Sequence, residues 1–192
     1  KIEFPSFKIM NLRNKLIETF YKAATSSRKD RNLLVPVGLV FFFGLVALFI
    51  IVSLQVDKFL EPLNLLPASL NIIVSVIILI TGLFLILWSN LHFIKAKGTP
   101  VPFNPPPKLV ATGPYIYIRN PMLTGVFILL FGLGVLFKSV SLVFIFTPLF
   151  ILVNVFELKT VEEPELEKRL GQEYLEYKKR TPMFIPWLKV KK

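Results

Sequence analysis

The chain has 192 residues, 54% of them hydrophobic and 18% charged, with a formal net charge of +11, no cysteine and one histidine. That composition excludes disulfide and thiolate chemistry and a histidine-rich metal site, and the gathering of its hydrophobicity into long runs excludes an ordinary soluble domain. The positive charge does not describe a nucleic-acid surface, because no basic stretch outside the apolar runs is interleaved with stacking aromatics.

In chain order, residues 1–32 offer neither the short apolar core nor the small-residue cleavage site of a secretory signal peptide. Phe7, Ile9, Leu12, Leu16, Ile17 and Phe20 recur at near-helical spacing among Lys8, Arg13, Lys15 and Lys22. That pattern predicts an amphipathic helix lying on the membrane face, a fifth membrane-associated helix, or one packed on the polar part of the protein. Residues 33–54 carry no charge, and none is found from Pro62 to Ile94. Each run is long enough for a helix to cross a hydrocarbon core of roughly 30 Å, so 33–94 reads as two transmembrane helices. Two shorter runs, 121–137 and 139–156, are parted only by Lys138 and predict a tight helical hairpin with Lys138 at its tip.

Lys and Arg number eight in residues 1–32, four in 95–120 and nine from 157 onward, against one in each of the other two connections. With four crossings, that asymmetry places both termini and the 95–120 loop in the cytoplasm. The fold class expected is therefore all-α, a multi-span integral membrane protein with four transmembrane helices. Its parts are an amphipathic segment 1–32, two spans in 33–94, and a catalytic region 95–192 holding the loop, the hairpin 121–156 and a cytoplasmic helix 164–179.

The unusual polar residues fall in two stretches on one side. The first, "HFIKAKGTPVPFNPPPKLVATGPYIYIRNP", is too rich in proline to continue a helix. Pro121 fits the first turn of the next helix, leaving Arg119 and Asn120 at its positive end, where free amides suit an anion. The second, "ELKTVEEPELEKRLGQEYLEYKKRTPMFIP", pairs Glu162 with Glu163, and Pro164 fits the start of a new helix. Arg119 is the natural counter-ion of that glutamate pair if the helices converge, since an unpaired carboxylate in a poorly hydrated place is costly.

Taken together, "KLVATGPYIYIRNPMLTG" and "EEPELEKRLGQEYLEYKKRTPMFIP" resemble the isoprenylcysteine carboxyl methyltransferase family, in a prokaryotic or archaeal form. The similarity runs from about Lys97 to Pro186; the first 90 residues agree only in being membrane spans. The resemblance implies an integral membrane enzyme that uses S-adenosylmethionine, releases S-adenosylhomocysteine, and methylates the carboxylate of a lipophilic, isoprenylcysteine-like or prenylated acceptor drawn from the bilayer. It implies Arg119 and Glu163 as catalytic residues, and Lys97, Gly98, Gly113, Tyr115, Asn120, Pro121, Gly125, Glu162 and Glu163 as the cofactor-binding set, with no metal. A guanidinium can hold a carboxylate through two hydrogen bonds, and alignment of the reactants supplies much of the rate. Asn120 stands where the family has histidine, and Leu123 where it has tyrosine. Asparagine cannot titrate, so no general base is expected at that position.

Other readings remain open at this point. A phospholipid amine N-methyltransferase shares the design and needs a base, for which Glu163 could serve. An NADPH-dependent sterol-type reductase has a similar C-terminal region. A transporter or scaffold would be expected to show repeats or midplane charges. The acceptor is expected in a cleft between the 62–94 span and the hairpin. His92, Trp88 and Trp187 read as interfacial residues, Phe41 to Phe43 as lipid-facing or packing residues, and Gly132 with Gly134 as close-packing positions inside the hairpin.

Overall fold

The computed structural model describes residues 5–62, 66–99 and 105–186; Trp187, residues 100–104 of the proline-rich loop, and the side chains of Phe7, Ile9 and Leu12 lie outside the described residues. Seven α-helices follow one another: α1 (Pro5–Thr25), α2 (Arg28–Val56), α3 (Ala68–Lys95), α4 (Pro121–Leu136), α5 (Thr147–Glu157), α6 (Glu163–Leu170) and α7 (Gln172–Arg180), and no strand occurs among the described residues. The all-α reading therefore holds.

Among the described residues, three helices are long and apolar enough to cross a membrane, over Leu33–Phe59, Ala68–Lys95 and Leu142–Leu170. Four were expected. The difference is α4, whose 16 residues rise only about 24 Å, short of the hydrocarbon thickness. The lipid-directed character of the long helices is plain on their outer faces: Val40 and Phe41 on α2, and Ile77, Ile80 and Phe84 on α3, are exposed. Phe43 also points outward, whereas Phe42 turns inward against Phe150 at 6.3 Å between ring centroids.

Apolar surface is not hidden from lipid by helix association, so contact between spans depends on close packing and on buried polar bonds. α3 and α4 meet along a glycine seam. A Cβ on Gly82 would lie 2.8 Å from the Gly125 carbonyl, one on Gly125 2.7 Å from Ile86, and one on Gly132 2.9 Å from Leu79. Asn71 closes the far end of the seam by donating Nδ2–H to the Val135 carbonyl at 3.0 Å. The cleft expected between the second span and the hairpin is therefore sealed along this crossing. Gly132 serves the α3 contact, and of the two glycines only Gly134 serves the hairpin, against Val143.

The second contact is aromatic. Phe150, fully buried, takes Phe49 at 5.4 Å and Phe127 at 6.0 Å edge to face, the geometry that the ring quadrupoles favour. Leu130, Leu142 and Val126 complete this core. Lys138 sits at the hairpin tip with φ +53°, where the chain reverses. Beside it Asp57 accepts from the Ser139 hydroxyl and, at 2.9 Å, from the Ser141 amide, while Ser141 donates to the Ser53 carbonyl at 2.8 Å. This clasp ties the end of α2 to the hairpin and caps the helix that follows.

That helix does not stop at Glu157 as expected. It runs on to Leu170 through two π-helical turns, Leu142–Phe146 and Leu158–Glu162. Each precedes a proline, Pro148 or Pro164. A proline ring clashes with the carbonyl four residues back, and a turn widened by one residue relieves the clash without breaking the helix. The Thr147 amide accordingly donates to Leu142 and the Glu163 amide to Leu158, five residues back in each case. The expected single helix 164–179 is instead α6 and α7, parted at Gly171, whose φ of +61° is readily open only to glycine.

Candidate functional site

The polar end of the molecule is organised around Arg119, in the residue pair that leads into α4. The backbone there runs beside the chain that follows α7: the Arg119 amide donates to the Pro182 carbonyl at 2.8 Å and the Asn120 amide to Met183 at 3.1 Å. The guanidinium then reaches two elements at once. Nη1 donates to the carbonyls of Lys178 at 2.9 Å and Thr181 at 2.7 Å, and Nη2 meets Glu163 Oε1 at 2.6 Å. The two carbonyls belong to the C-terminal end of α7, which lacks helical donors and favours a cation.

Glu163 is held from both sides. Lys178 Nζ takes its other oxygen at 2.6 Å and reaches Glu167 at 2.9 Å. Burial pulls the Lys178 ammonium down, but its bonds to Glu163 and Glu167 outweigh that and hold it above the ordinary lysine range. Arg119 and Glu163 are 10% and 6% exposed at their side chains, so removing either leaves a charge stranded in a poorly hydrated place. Among the described residues, Arg119 Nε is the one buried guanidinium nitrogen without a hydrogen-bond partner.

The neighbouring glutamates divide differently. Glu165 pairs with Arg169 at 2.7 Å, and Arg169 also donates to the Pro106 carbonyl at 3.2 Å. Among the described residues Glu162 and Glu157 make no ion pair. They are five residues apart across the π turn, a spacing that a regular helix would place on different faces and the widened turn brings together. Each is within electrostatic reach of the other.

Tyrosines wall this region. Tyr177 donates its hydroxyl to the Tyr115 carbonyl at 2.7 Å. Burial first, then the neighbouring Tyr177 and Glu162, raises the Tyr115 phenol above its ordinary range. Burial likewise raises Tyr174 and Tyr177, so all three stay neutral donors at physiological pH. Tyr115 also packs against Phe93 with the rings tilted and their centroids 5.1 Å apart.

The structure thus brings Arg119, Asn120, Tyr115, Glu162 and Glu163 to one end of the bundle. The other expected residues have packing or surface positions of their own. Gly125 and the fully buried Pro121 belong to helix packing, and Lys97 is an exposed residue at φ +59° after α3. Gly98 packs on Pro106, where a Cβ would lie 2.3 Å from the proline nitrogen, and Gly113, at φ +59°, packs on the His92 ring. His92, expected at the interface, bonds Thr112 at 2.9 Å and so fixes the turn before Tyr115. Sequence reasoning missed Lys178 and Glu157; the i,i+4 spacing of Glu165 and Arg169 predicts their pair, but on the solvated side, whereas the two side chains are only 7% and 11% exposed. Glu157 could have been found from the five-residue spacing combined with the proline that forces the wide turn.

A protein from Alcaligenes xylosoxydans xylosoxydans described as nickel-cobalt-cadmium resistance protein NccN is 32% identical over 102 residues, or 53% of this chain and 43% of that protein. The chain therefore spans less than half the length of that relative. The phospholipid methyltransferase profile matches residues 70–173, just over half of the chain, taking in the first polar stretch and the second as far as Glu173. On that match the chain belongs to the phospholipid methyltransferase family, which takes in the membrane methyltransferases resembling the isoprenylcysteine enzymes.

Proposed function

We propose that the protein is a membrane-embedded, S-adenosylmethionine-dependent methyltransferase acting on a lipophilic acceptor that arrives from the bilayer, with its site on the cytoplasmic side. The observation that carries this is the unequal use of the paired glutamates. Glu163 is occupied at both oxygens by Arg119 and Lys178, while Glu162 makes no ion pair among the described residues and Arg119 keeps a buried Nε–H with no partner. A free carboxylate and an orphaned cationic donor at one end of the bundle suit a ligand carrying both charges, as the amino acid head of this cofactor does. Glu162 would face its cationic part, and Arg119 Nε–H with Asn120 at the α4 terminus its carboxylate. When bound, the cofactor supplies an electrophilic methyl group on a sulfonium, and the acceptor atom gains that methyl as the sulfur leaves neutral. Glu163, fully engaged, acts as the brace that orients Arg119.

Two acceptors suit this reading. A prenylcysteine-like carboxylate is already an anion at neutral pH and needs no base. A phospholipid amine must shed a proton, and Glu157, without an ion pair among the described residues and not used by the cofactor in this assignment, favours that second reading. Calorimetric titration of the detergent-solubilised protein with S-adenosylhomocysteine and, separately, NADPH tests the class. Binding of the former alone is expected; binding of NADPH alone would replace it with a reductase, and binding of neither would sink it. Acceptor panels of a prenylcysteine and a phosphatidylethanolamine then separate the two chemistries.

A further inference from the structure

Pro164 has no amide hydrogen to give the Thr160 carbonyl, which lies four residues before it inside the π turn. Arg13 fills that vacancy, donating Nε–H to Thr160 O at 3.3 Å. Farther along the same helix Lys168 pairs with Glu18 and stands 4.3 Å above the Tyr21 ring. Arg13 to Tyr21 and Thr160 to Lys168 each cover about 12 Å at helical rise, so α1 lies alongside the turn in the same direction and bridges it end to end. Ile17, Phe20, Tyr21 and Ala24 fall at i, i+3, i+4 and i+7, and this face is half-buried or buried. An isolated amphipathic helix on lipid has no need of the Arg13 and Glu18 contacts.

We propose that α1 is a splint for the π turn. It holds Glu162 in the register that a ligand meets, which makes Arg13, Glu18 and Lys168 positioning residues of the site. The assignment is new to this part of the chain, because the family-matched stretch begins at residue 70. It rests on the reading that Glu162 faces the cofactor. Exposed ion pairs add little to global stability, so loss of the splint should appear in the register of the turn, not in melting.

The test uses the full chain in detergent with Arg13→Ala, Glu18→Lys, Lys168→Glu and the charge-swapped double variant. Two readouts are taken: amide hydrogen exchange over residues 158–165 in the ligand-free protein, and calorimetric affinity for S-adenosylhomocysteine. Each single variant should speed exchange there and weaken binding by about three- to tenfold, within the span of effects for residues that act through a shared element. The double variant should restore both, with melting near wild type throughout. Unchanged exchange in the single variants would overturn the proposal. So would a fall in melting temperature that the charge swap does not rescue, which would leave α1 a mere stabiliser. If the wild type binds no S-adenosylhomocysteine, the methyltransferase reading fails and the exchange arm alone decides the splint.

Discussion

The two π turns are made by the same local device and put to different uses. Leu142–Phe146 precedes Pro148 and Leu158–Glu162 precedes Pro164. The first lies among apolar neighbours: Leu142 is fully buried and Phe146 meets Phe49 at 6.0 Å. The second has its Thr160 carbonyl taken by Arg13 and carries Glu162 beside an engaged Glu163. Proline decides where the helix must widen, and the surroundings decide whether the widened turn is packing or a site. A π turn is therefore informative about function only together with the groups that it turns inward.

Variants can break that contrast, and the largest effect should come from the carboxylate that locks the second turn. Glu163→Ala strands the Arg119 and Lys178 charges, and thermal unfolding should show a loss of about 3–5 kcal/mol, together with loss of S-adenosylhomocysteine binding. Pro164→Ala returns an amide to Thr160 and lets the turn tighten, which should weaken that binding about tenfold, near 1.4 kcal/mol. Pro148→Ala makes the same change in the apolar turn and should leave affinity within about twofold, as expected for a distant site; equal losses from both prolines would dissolve the distinction. Asp57→Asn loosens the clasp ahead of the first turn and should cost about 1 kcal/mol of stability in a denaturant titration, with affinity untouched. The smallest effect is one of pH. Lys178 is raised above its ordinary value of 10.5, so its contribution is fully present below that value and is lost only as pH rises through the raised one. Wild type and Lys178→Met should therefore keep a constant difference in melting from pH 7 to 10, as read by scanning fluorimetry, and converge in stronger alkali.

Much of the architecture was legible because its causes are local. Uncharged runs give spans, a lone Lys138 gives the hairpin tip, and the expected convergence of Arg119 with the glutamate pair is met by the Arg119–Glu163 bond at 2.6 Å. What escaped depends on groups far apart in the chain or on a proline read in only one way. Pro164 suits the start of a new helix and also a widened turn inside a continuing one, and only the carbonyl partners distinguish them. Lys178 escaped because nothing in the sequence says that α7 folds back at Gly171 to bring it to Glu163. Gly125, expected to line a pocket, shares its motif position with the α3 seam, and one sequence cannot separate close approach to a ligand from close approach to a helix. The Asp57 clasp joins residues more than eighty positions apart and has no local signature at all.

The pairing of residues 119 and 120 with 182 and 183 also sets an order in time. Synthesis adds about 5–20 residues each second, so the strip bearing Arg119 leaves the ribosome roughly 3 to 13 seconds before the carbonyls that receive it. During that interval α3 and α4 can already close their seam, while the guanidinium lacks the carbonyls of Lys178 and Thr181 and the Glu163 carboxylate that later hold it. Closure of this end of the bundle therefore waits for residues 178–183, whose carbonyls take the Arg119 guanidinium and the amides of Arg119 and Asn120.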